Sequence, residues 1–274
     1  MYPRDGQARP KKSLGQNFLT EKHIIGEIVS AVSRIGGDSV LEIGPGTGAL
    51  TEPLAGLGKP LVCVEADPEL AGRLADRFAD REDVTVAAGD FLKWDMSALA
   101  GKRTVCAGNL PYYITTPIIE KLIGARALLT GCVLMVQKEV ADRLLALPGT
   151  RECSSFTLYC RYYAEVSRVR NVSRGCFFPV PRVDSSVIEL RFRSVPPVEA
   201  ADETLLFRII RAAYSKRRKT LLNALANSEQ LWWSREKAVR VLAGSGIDGS
   251  RRGESLTLEE YALLCNAAYG TEGP

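Results

Sequence analysis

The feature that most constrains the fold is a regular alternation of short apolar runs with helix-like segments between residues 39 and 137. The apolar runs read "SVLEIG", "PLVCVEAD", "DVTVAAGD", "RTVCAGN" and "TGCVLMVQ", and amphipathic segments such as "PELAGRLADRFA" separate them. Strands that are apolar throughout and alternate with helices are typical of a parallel sheet covered on both faces. The pattern therefore predicts an α/β fold.

Two further segments flank this pattern. Before it, "EKHIIGEIVSAVSRI" places Ile24, Ile28 and Val32 on one helical face. After it, "VDSSVIELRF" alternates in its second half, as an antiparallel edge strand would. We expect both segments to complete the sheet domain.

A composition break at residues 194–202, "SVPPVEAAD", indicates a domain boundary. Beyond it only helical periodicity is found, at residues 203–214, 216–227, 234–243 and 257–268. We therefore predict a sheet domain over residues 1–195, which includes a basic N-terminal tail, and a small all-helical domain over residues 196–274.

Composition excludes several classes of protein. No run approaches the ~18–20 apolar residues of a membrane helix, and the polar N-terminus is not typical of a signal peptide. The seven cysteines form no CxxC pair, so they are typical of buried residues in a reducing compartment. His23 is the only histidine, which argues against a His-based catalytic triad or a metal cluster. We expect a cytoplasmic protein that has no bound metal and does not contact membranes.

The strongest single motif is "VLEIGPGTGALT", which leads from a predicted strand through three glycines into a predicted helix. Gly44, Gly46 and Gly48 allow a sharp turn and bring backbone N–H groups against a ligand at a helix N-terminus. Glu65 ends the next strand, 21 residues after Gly44, where a carboxylate can bind both hydroxyls of a ribose. These features indicate a nucleoside site.

A nicotinamide-dependent enzyme is the first alternative for such a site. However, the glycine spacing is G-x-G-x-G and not G-x-G-x-x-G, and the chain has no Tyr-x-x-x-Lys pattern. The arrangement resembles instead the nucleoside pocket of S-adenosylmethionine-dependent methyltransferases. Asp90, in "AAGDFL", ends the third apolar run, where that class reads the adenine amino group of the cofactor.

A further strand-end motif, "GNLPYYITTP", resembles the N/D-P-P-Y motif of methyltransferases that modify exocyclic amino groups of bases. The adenine N6 is a poor nucleophile because its lone pair is delocalised into the ring. Two acceptors, the side-chain oxygen of Asn109 and the carbonyl of Leu110, would localise and aim that lone pair. Pro111 would fix the turn that exposes the carbonyl, and Tyr112 would stack on the base. No histidine base is needed, because the methylated amine becomes acidic and can lose its proton to water.

Together these motifs make the chain similar to the ribosomal RNA adenine N6,N6-dimethyltransferases. The resemblance runs from "KKSLGQNFL" to "LTLEEYALLCNAAYG" and includes "FFPVPRVDSSV" and "SKRRKTLLNAL". It implies a Rossmann-like methyltransferase sheet that binds S-adenosylmethionine, followed by a small helical domain. It also implies dimethylation of two adjacent adenosines in the 3′-terminal hairpin of 16S rRNA, within a pre-ribosomal 30S particle.

The resemblance assigns roles by position. Its cofactor contacts fall on Asn17, Leu19, Gly44, Glu65, Asp90 and Asn109, and its base-pocket residues fall on Asn109, Leu110, Tyr112 and Phe177. Phe177 would close the adenine face opposite Tyr112. The segment "RECSSFTLYCRYY" departs from the usual family sequence, outside the expected site.

Basic side chains are clustered although the net charge is only +4. Residues 205–220 hold six basic and no acidic side chains, and four of these are consecutive, at Lys216, Arg217, Arg218 and Lys219. On the predicted helix 216–227 these four would contact RNA phosphates, which position RNA without specifying the target base. An ordinary solvated helix face is the alternative. No feature demands an oligomer, so we expect a monomer.

Three other functions remain open from the sequence. A large-subunit (23S) rRNA adenine N6-methyltransferase of the macrolide-resistance type shares the motif order, but usually reads "NIPY" with an aspartate at the position of Pro117. A non-catalytic RNA-binding or ribosome-assembly factor would not need intact Glu65, Asp90 and Asn109. A small-molecule methyltransferase would not need the basic helical domain.

Overall fold

The computed structural model of the protein describes residue 11 and residues 14–226 and 228–270. The expected basic tail lies mostly in residues 1–10, 12 and 13, outside the described residues. The strands are β1 (Phe18–Leu19), β2 (Ser39–Ile43), β3 (Leu61–Glu65), β4 (Val84–Ala88), β5 (Thr104–Asn109), β6 (Leu129–Gln137), β7 (Ala164–Val172), β8 (Phe177–Phe178) and β9 (Ser185–Phe192). The helices are α1 (Lys22–Ile35), α2 (Thr51–Ala55), α3 (Pro68–Arg77), α4 (Thr115–Gly124), α5 (Lys138–Leu145), α6 (Ser155–Tyr163), α7 (Glu203–Ser215), α8 (Leu221–Ala226), α9 (Arg235–Ser245) and α10 (Leu258–Gly270).

The chain forms two compact units. Unit 1 comprises Met1–Ala141 and Ala164–Phe192, and unit 2 comprises Asp142–Tyr163 and Arg193–Pro274. Residues 142–163, which the sequence analysis assigned to the sheet domain, thus belong to unit 2. The physical reason is an aromatic cluster, in which the rings of Tyr159, Tyr162 and Tyr163 on α6 lie 5.1, 5.2 and 5.6 Å from the ring of Phe207 on α7.

Unit 1 contains a seven-stranded sheet in the order β4-β3-β2-β5-β6-β9-β7. The first five strands are parallel, and β9 is antiparallel to both β6 and β7. A separate two-stranded pairing joins β1 to β8. The expectation of an α/β fold built on a largely parallel sheet is confirmed.

The expected position of β9 at the sheet edge is wrong. β9 is antiparallel, as expected, but it lies between β6 and β7, and its first six residues are buried, as an interior strand requires. The outer strand is β7, "AEVSRVRNV", whose charged side chains suit an edge that must not pair with another chain. The sequence pattern does not predict a strand at β7.

Strand register sets the position of the functional loops. Ile43, the last residue of β2, pairs with Val64 on one side and with Gly108 on the other. The chain therefore leaves β2, β3 and β5 at one common edge, just before Gly44, Ala66 and Leu110. On α1, the residues Ile24, Ile28, Ala31 and Val32 are buried against the core of unit 1.

Unit 2 is helical, as expected, with one correction. The predicted helix 216–227 begins only at Leu221, and Lys216–Lys219 lie in the turn after α7. The Lys219 N–H donates to the Lys216 carbonyl at 2.8 Å across this turn. A helix that began at Lys216 would place four cations in its first turn, where the helix dipole disfavours positive charge.

Within the described part of the chain, no helix is both long enough and apolar enough to cross a membrane.

Candidate cofactor and adenine site

A cavity of about 380 Å³ opens at the carboxyl edge of the sheet in unit 1. Its walls include residues 14–19, the loop after β2, the carboxyl end of β3, residues 90–92 and residues 109–114. Open α/β sheets bind ligands at this edge. The cavity is therefore the candidate functional site.

The glycine loop forms one wall. Gly44 has a φ of +63°, and no protein atom lies within 4 Å of the position that a Cβ would occupy, so a ligand can approach its backbone closely. Gly46 also lines the cavity, against the ring of Phe18. Gly48 does not line it. A Cβ at Gly48 would lie 2.8 Å from Cδ1 of Leu74, so this glycine serves the packing of the loop on α3.

Glu65 ends β3 beside this loop and is 5% exposed. Its carboxylate oxygens accept the N–H of Gly46 at 2.8 Å and of Asp67 at 2.9 Å. Burial raises the pKa of Glu65 above its usual value, although both N–H donors act in the opposite direction. Each carboxylate oxygen carries two lone pairs, so the oriented group can still accept hydrogen bonds from ligand hydroxyls.

Asp90 lies at the cavity rim and is exposed. Its Oδ1 accepts the N–H of Leu92 at 2.9 Å, which closes a tight turn. Lys121 on α4 secures the same turn, because its Nζ donates to the carbonyl of Leu92 at 3.0 Å and to that of Trp94. Lys121 also lies 5.2 Å from the centre of the Phe91 ring, a cation–π contact. No sequence signal marks Lys121, since it lies within an ordinary amphipathic helix pattern.

Asn109 and Leu110 present two acceptors at the end of β5. The Asn109 Nδ2 donates to the backbone carbonyl of Asn17 at 2.7 Å. A carbonyl only accepts, so the amide orientation is set and Oδ1 is left for another donor. The Leu110 N–H donates to the Met135 carbonyl at 3.1 Å, whereas no donor from the described residues is bonded to the Leu110 carbonyl oxygen. Both residues line the cavity.

Aromatic side chains differ in their relation to the cavity. Pro111 and Tyr112 line it, and the Tyr112 hydroxyl lies 2.8 Å from the Ser185 hydroxyl, which fixes the ring. Phe177 is not part of the cavity wall. It is 3% exposed and packs in the core of unit 1, paired across the strands with Leu19. Successive strand residues point in opposite directions, and the neighbouring Phe178 is 38% exposed. The structure therefore does not bring Phe177 to the position that the resemblance implies.

The segment 14–19 covers the cavity and includes both Asn17 and Leu19, as expected. Hydrogen bonds from Lys11 and Gln16 to Asp67, which no sequence motif indicates, hold this region in place. The Lys11 Nζ lies 2.7 Å from Oδ1 of Asp67, and the Gln16 Nε2 lies 3.4 Å from Oδ2 of the same carboxylate. Burial alone would raise the pKa of Asp67, but its partners outweigh burial and hold the pKa below the usual value.

Glu42, just before the glycine loop, is a further cavity residue to which the sequence assigns no role. It is 1% exposed, it lines the cavity from β2, and the Cys63 thiol donates to its Oε2 at 3.5 Å. Burial raises the pKa of Glu42 from 4.5 to about 7. The pattern "VLEIG" predicts a buried strand, but it does not show that the Glu42 side chain faces a cavity.

The basic turn Lys216–Lys219 lies in unit 2 and is exposed throughout. Within this turn, Arg217 is already engaged. Its guanidinium donates to Oε2 of Glu254 and to the carbonyl of Arg151, each at 2.8 Å. Arg218 and Lys219 are exposed and have no side-chain partner among the described residues.

Comparisons with known proteins identify the family of the chain. The family model of the ribosomal RNA adenine dimethylases matches residues 7–263. The chain belongs to the ribosomal RNA adenine dimethylase family. It is therefore an S-adenosylmethionine-dependent methyltransferase, as its motifs predicted.

Individual members of the family are similar over nearly the whole chain. The ribosomal RNA small subunit methyltransferase A of Geobacillus thermodenitrificans is 46% identical over 94% of this chain and 90% of its own length. The protein of the same description from Bacillus mycoides is 45% identical with the same coverage. Among solved structures, a dimethyladenosine transferase from Plasmodium falciparum has a TM-score of 0.75 at 27% identity, covering 90% of this chain and 95% of its own. The 23S rRNA methyltransferase ErmE, at 24% identity, shares the fold with a TM-score of 0.70 over 92% of this chain and 99% of its own.

The dimethylase family uses S-adenosylmethionine, and the residues present suit this cofactor. The open space over Gly44 admits a ligand against the backbone, and the oriented Glu65 carboxylate suits the ribose hydroxyls. Asp90 at the rim retains acceptor capacity for an amino group. No group of three or more potential metal ligands comes together among residue 11, residues 14–226 and residues 228–270.

Proposed function

We propose that the protein transfers methyl groups from S-adenosylmethionine to the N6 atoms of two adjacent adenosines in the 3′-terminal hairpin of 16S rRNA, within a pre-ribosomal 30S particle. The observation that carries this proposal is the pair of acceptors at the cavity, Oδ1 of Asn109 and the carbonyl oxygen of Leu110. An exocyclic amine has two N–H bonds, and these two oxygens can accept one each.

The bound cofactor supplies an electrophilic methyl group on a sulfonium. The protein's part is to bind, orient and polarise the amine. Asn109 is held by its bond to the Asn17 carbonyl, so its oxygen is preorganised for the N6–H, and Leu110 contributes a backbone oxygen that need not reorganise. Hydrogen bonds from the two N–H groups to these acceptors reduce the delocalisation of the N6 lone pair into the ring and aim it at the methyl group.

The proton lost after transfer needs no side-chain base. His23, the only histidine of the chain, lies on α1 and does not line the cavity. The N6 atom becomes acidic once it carries the new methyl group, and its proton can pass to water. After the first methyl transfer one N–H remains, so one of the two acceptors is released during the second.

We assign stacking on the target base to Tyr112, whose ring is held through its hydroxyl by Ser185. The assignment of the opposite face to Phe177 rests on the family resemblance. It would require the ring to leave the core of unit 1, and a cofactor- and RNA-bound structure would test this. The same proposal includes contacts to the cofactor from Asn17, Leu19, Gly44, Gly46, Glu65 and Asp90. Gly48 contributes to the packing of the glycine loop on α3.

A 23S rRNA methyltransferase is the main alternative. The small subunit methyltransferases are 45–46% identical to this chain, whereas ErmE is 24% identical and thereby supports only the shared fold. An assembly factor without chemistry is disfavoured by the intact acceptors and by the oriented Glu65. We infer a monomer, and the seven free cysteines agree with a reducing compartment such as the cytoplasm.

The decisive experiment compares unmethylated small subunits with unmethylated large-subunit rRNA, using the purified chain and radiolabelled S-adenosylmethionine. Digestion to nucleosides should give N6,N6-dimethyladenosine from the small subunit alone. Label in the large-subunit RNA would move the protein to the 23S class. Absence of label in both, with cofactor binding retained, would contradict the proposal.

Variants of Asn109 give the matched test of mechanism. Asn109→Ala removes the acceptor and should lower the transfer rate by about 10²–10³-fold while leaving RNA affinity nearly unchanged. Asn109→Asp keeps acceptor oxygens but loses the N–H bond to Asn17, so its rate should lie between those of the wild type and the alanine variant. An equal loss of RNA binding in Asn109→Ala would refute the assigned role.

A further inference from the structure

The loop between α8 and α9 presents one large aromatic ring to solvent. Trp232 is 81% exposed, whereas its neighbours Leu231 and Trp233 are 4% and 6% exposed. The two neighbours anchor the loop in the core of unit 2. The anchored loop thus holds a single indole outward without burying it.

The backbone of Trp232 is in a strained conformation. Its φ is +54°, in the left-handed region that a residue with a Cβ rarely adopts. The turn is held by the Trp232 N–H, which donates to the Ser228 carbonyl at 3.1 Å, and by the Arg208 Nε, which donates to the Gln230 carbonyl at 2.8 Å. Strain of this kind persists where surrounding contacts impose it, and it is concentrated at binding sites.

Three basic side chains lie on α7 and α9, the helices that contact or follow this loop. Arg208 bonds the loop backbone, Arg235 begins α9 three residues after Trp232, and the Lys237 Nζ lies 5.5 Å from the centre of the Trp233 ring. Residues 205–240 contain nine basic side chains but only two acidic ones, Glu229 and Glu236. A polyanion is the partner that this charge favours.

We propose that Trp232 is a stacking platform for an unpaired RNA base, and that Arg208, Arg235 and Lys237 contact the phosphates that flank this base. An indole stacks on any base, and neighbouring cations follow the backbone of a single strand. A protein partner would be expected to need more apolar surface around the ring. The site is distinct from the adenine cavity in unit 1, and it rests on the proposed function only in taking RNA as the partner.

The test uses the full chain and an unstructured single-stranded RNA of twelve nucleotides, with a duplex of equal length for comparison. Trp232→Ala should weaken binding of the single strand by about 5- to 150-fold, as expected for one lost stacked base, and should change duplex binding little. Trp232→Phe keeps a ring and should retain most of the affinity. Tyr269→Ala is the matched control, since Tyr269 is another exposed aromatic residue of unit 2, at 54%, and it should bind as the wild type does.

Salt dependence separates stacking from charge. Trp232→Ala should leave the slope of log K against log salt unchanged, whereas Arg235→Ala should reduce its magnitude by about 0.7, as for one lost phosphate contact on a single strand. Quenching of tryptophan fluorescence by RNA in the wild type should be largely lost in Trp232→Phe.

Three results would overturn the proposal. The first is that Trp232→Ala binds the single strand as tightly as the wild type does. If the wild type still methylates small-subunit rRNA, this result leaves the proposed function intact. The second is an equal loss in Tyr269→Ala. The third is a change in the sedimentation of the protein alone in Trp232→Ala, which would make the ring a contact between copies. Failure of the wild type to methylate small-subunit rRNA would instead count against the proposed function.

Discussion

Replacing Glu42 by glutamine should abolish a loss of stability that the wild type suffers as pH rises. Glu42 is 1% exposed, and burial raises its pKa from 4.5 to about 7. In the unfolded chain the group titrates near its ordinary value, so between these two values the folded state binds more protons than the unfolded state. The free energy of unfolding therefore falls as pH rises through this interval.

The magnitude follows from the gap between the two pKa values, which corresponds to roughly 3 kcal/mol. This contribution is fully present below pH 4.5, is lost progressively towards pH 7, and stays absent above it. Glutamine has nearly the same shape, its oxygen can still accept from the Cys63 thiol, and it carries no charge at any of these pH values. The amide NH2 needs an acceptor, so the substitution also carries a cost that is the same at every pH.

Urea unfolding at pH 5 and pH 8 measures this change. Trp94 in unit 1 can serve as the probe in a background where Trp232 and Trp233 are replaced by phenylalanine. The stability difference between Glu42→Gln and the wild type should shift by roughly 2.5 kcal/mol in favour of the variant between the two pH values, because part of the loss has already occurred at pH 5. The same exchange at exposed Glu120 controls for the general loss of one carboxyl group. An equal difference at both pH values would show that Glu42 stays in one ionisation state and would refute the reasoning.

Three further predictions concern the cofactor and RNA surfaces. Gly44→Ala should lower the free energy of unfolding by about 1–2 kcal/mol because of the positive φ, and it should also bind S-adenosylmethionine more weakly in calorimetry. Gly48→Ala should mainly lower the melting temperature. A larger loss of cofactor affinity in Gly48→Ala than in Gly44→Ala would contradict the placement of the two glycines. Lys121→Met should weaken binding of S-adenosylmethionine while leaving the affinity for RNA unchanged, because it frees the turn that carries Asp90; unaltered cofactor binding would show that the turn holds itself. Exchanging Arg218 and Lys219 for glutamate should weaken RNA binding and reduce its salt dependence, and an unchanged salt titration would make the turn ordinary surface.

The strand-end residues could be predicted from the sequence because each motif is a short segment whose residue types indicate its function. A glycine loop after an apolar run, a carboxylate at the end of the next run and "NLPY" at the end of a later one all lie at one edge in any parallel sheet. The cavity accordingly includes Gly44, Glu65, Asp90 and Asn109. Family resemblance added Asn17 and Leu19, which also line the cavity.

Other parts of the site could not be predicted, since they depend on contacts between residues far apart in the chain. Lys121 bonds to the Asp90 turn from a helix about thirty residues later in the chain. Lys11 and Asp67 are 56 residues apart, so no local sequence pattern indicates their contact. Phe177 shows the opposite case, in which a position assigned by resemblance lies in the core.

The sequence by itself determined the α/β class, the order of the motifs and the chemistry that they can support, because hydrophobic period and strand-end residue types are local properties. The tertiary structure decided the rest. Packing in the core of unit 2, including the aromatic contacts of α6 with Phe207, places residues 142–163 in that unit. The insertion of β9 between β6 and β7 makes β7 the edge strand. The free energy that settles each of these choices comes from burial against distant partners, which a local pattern does not contain.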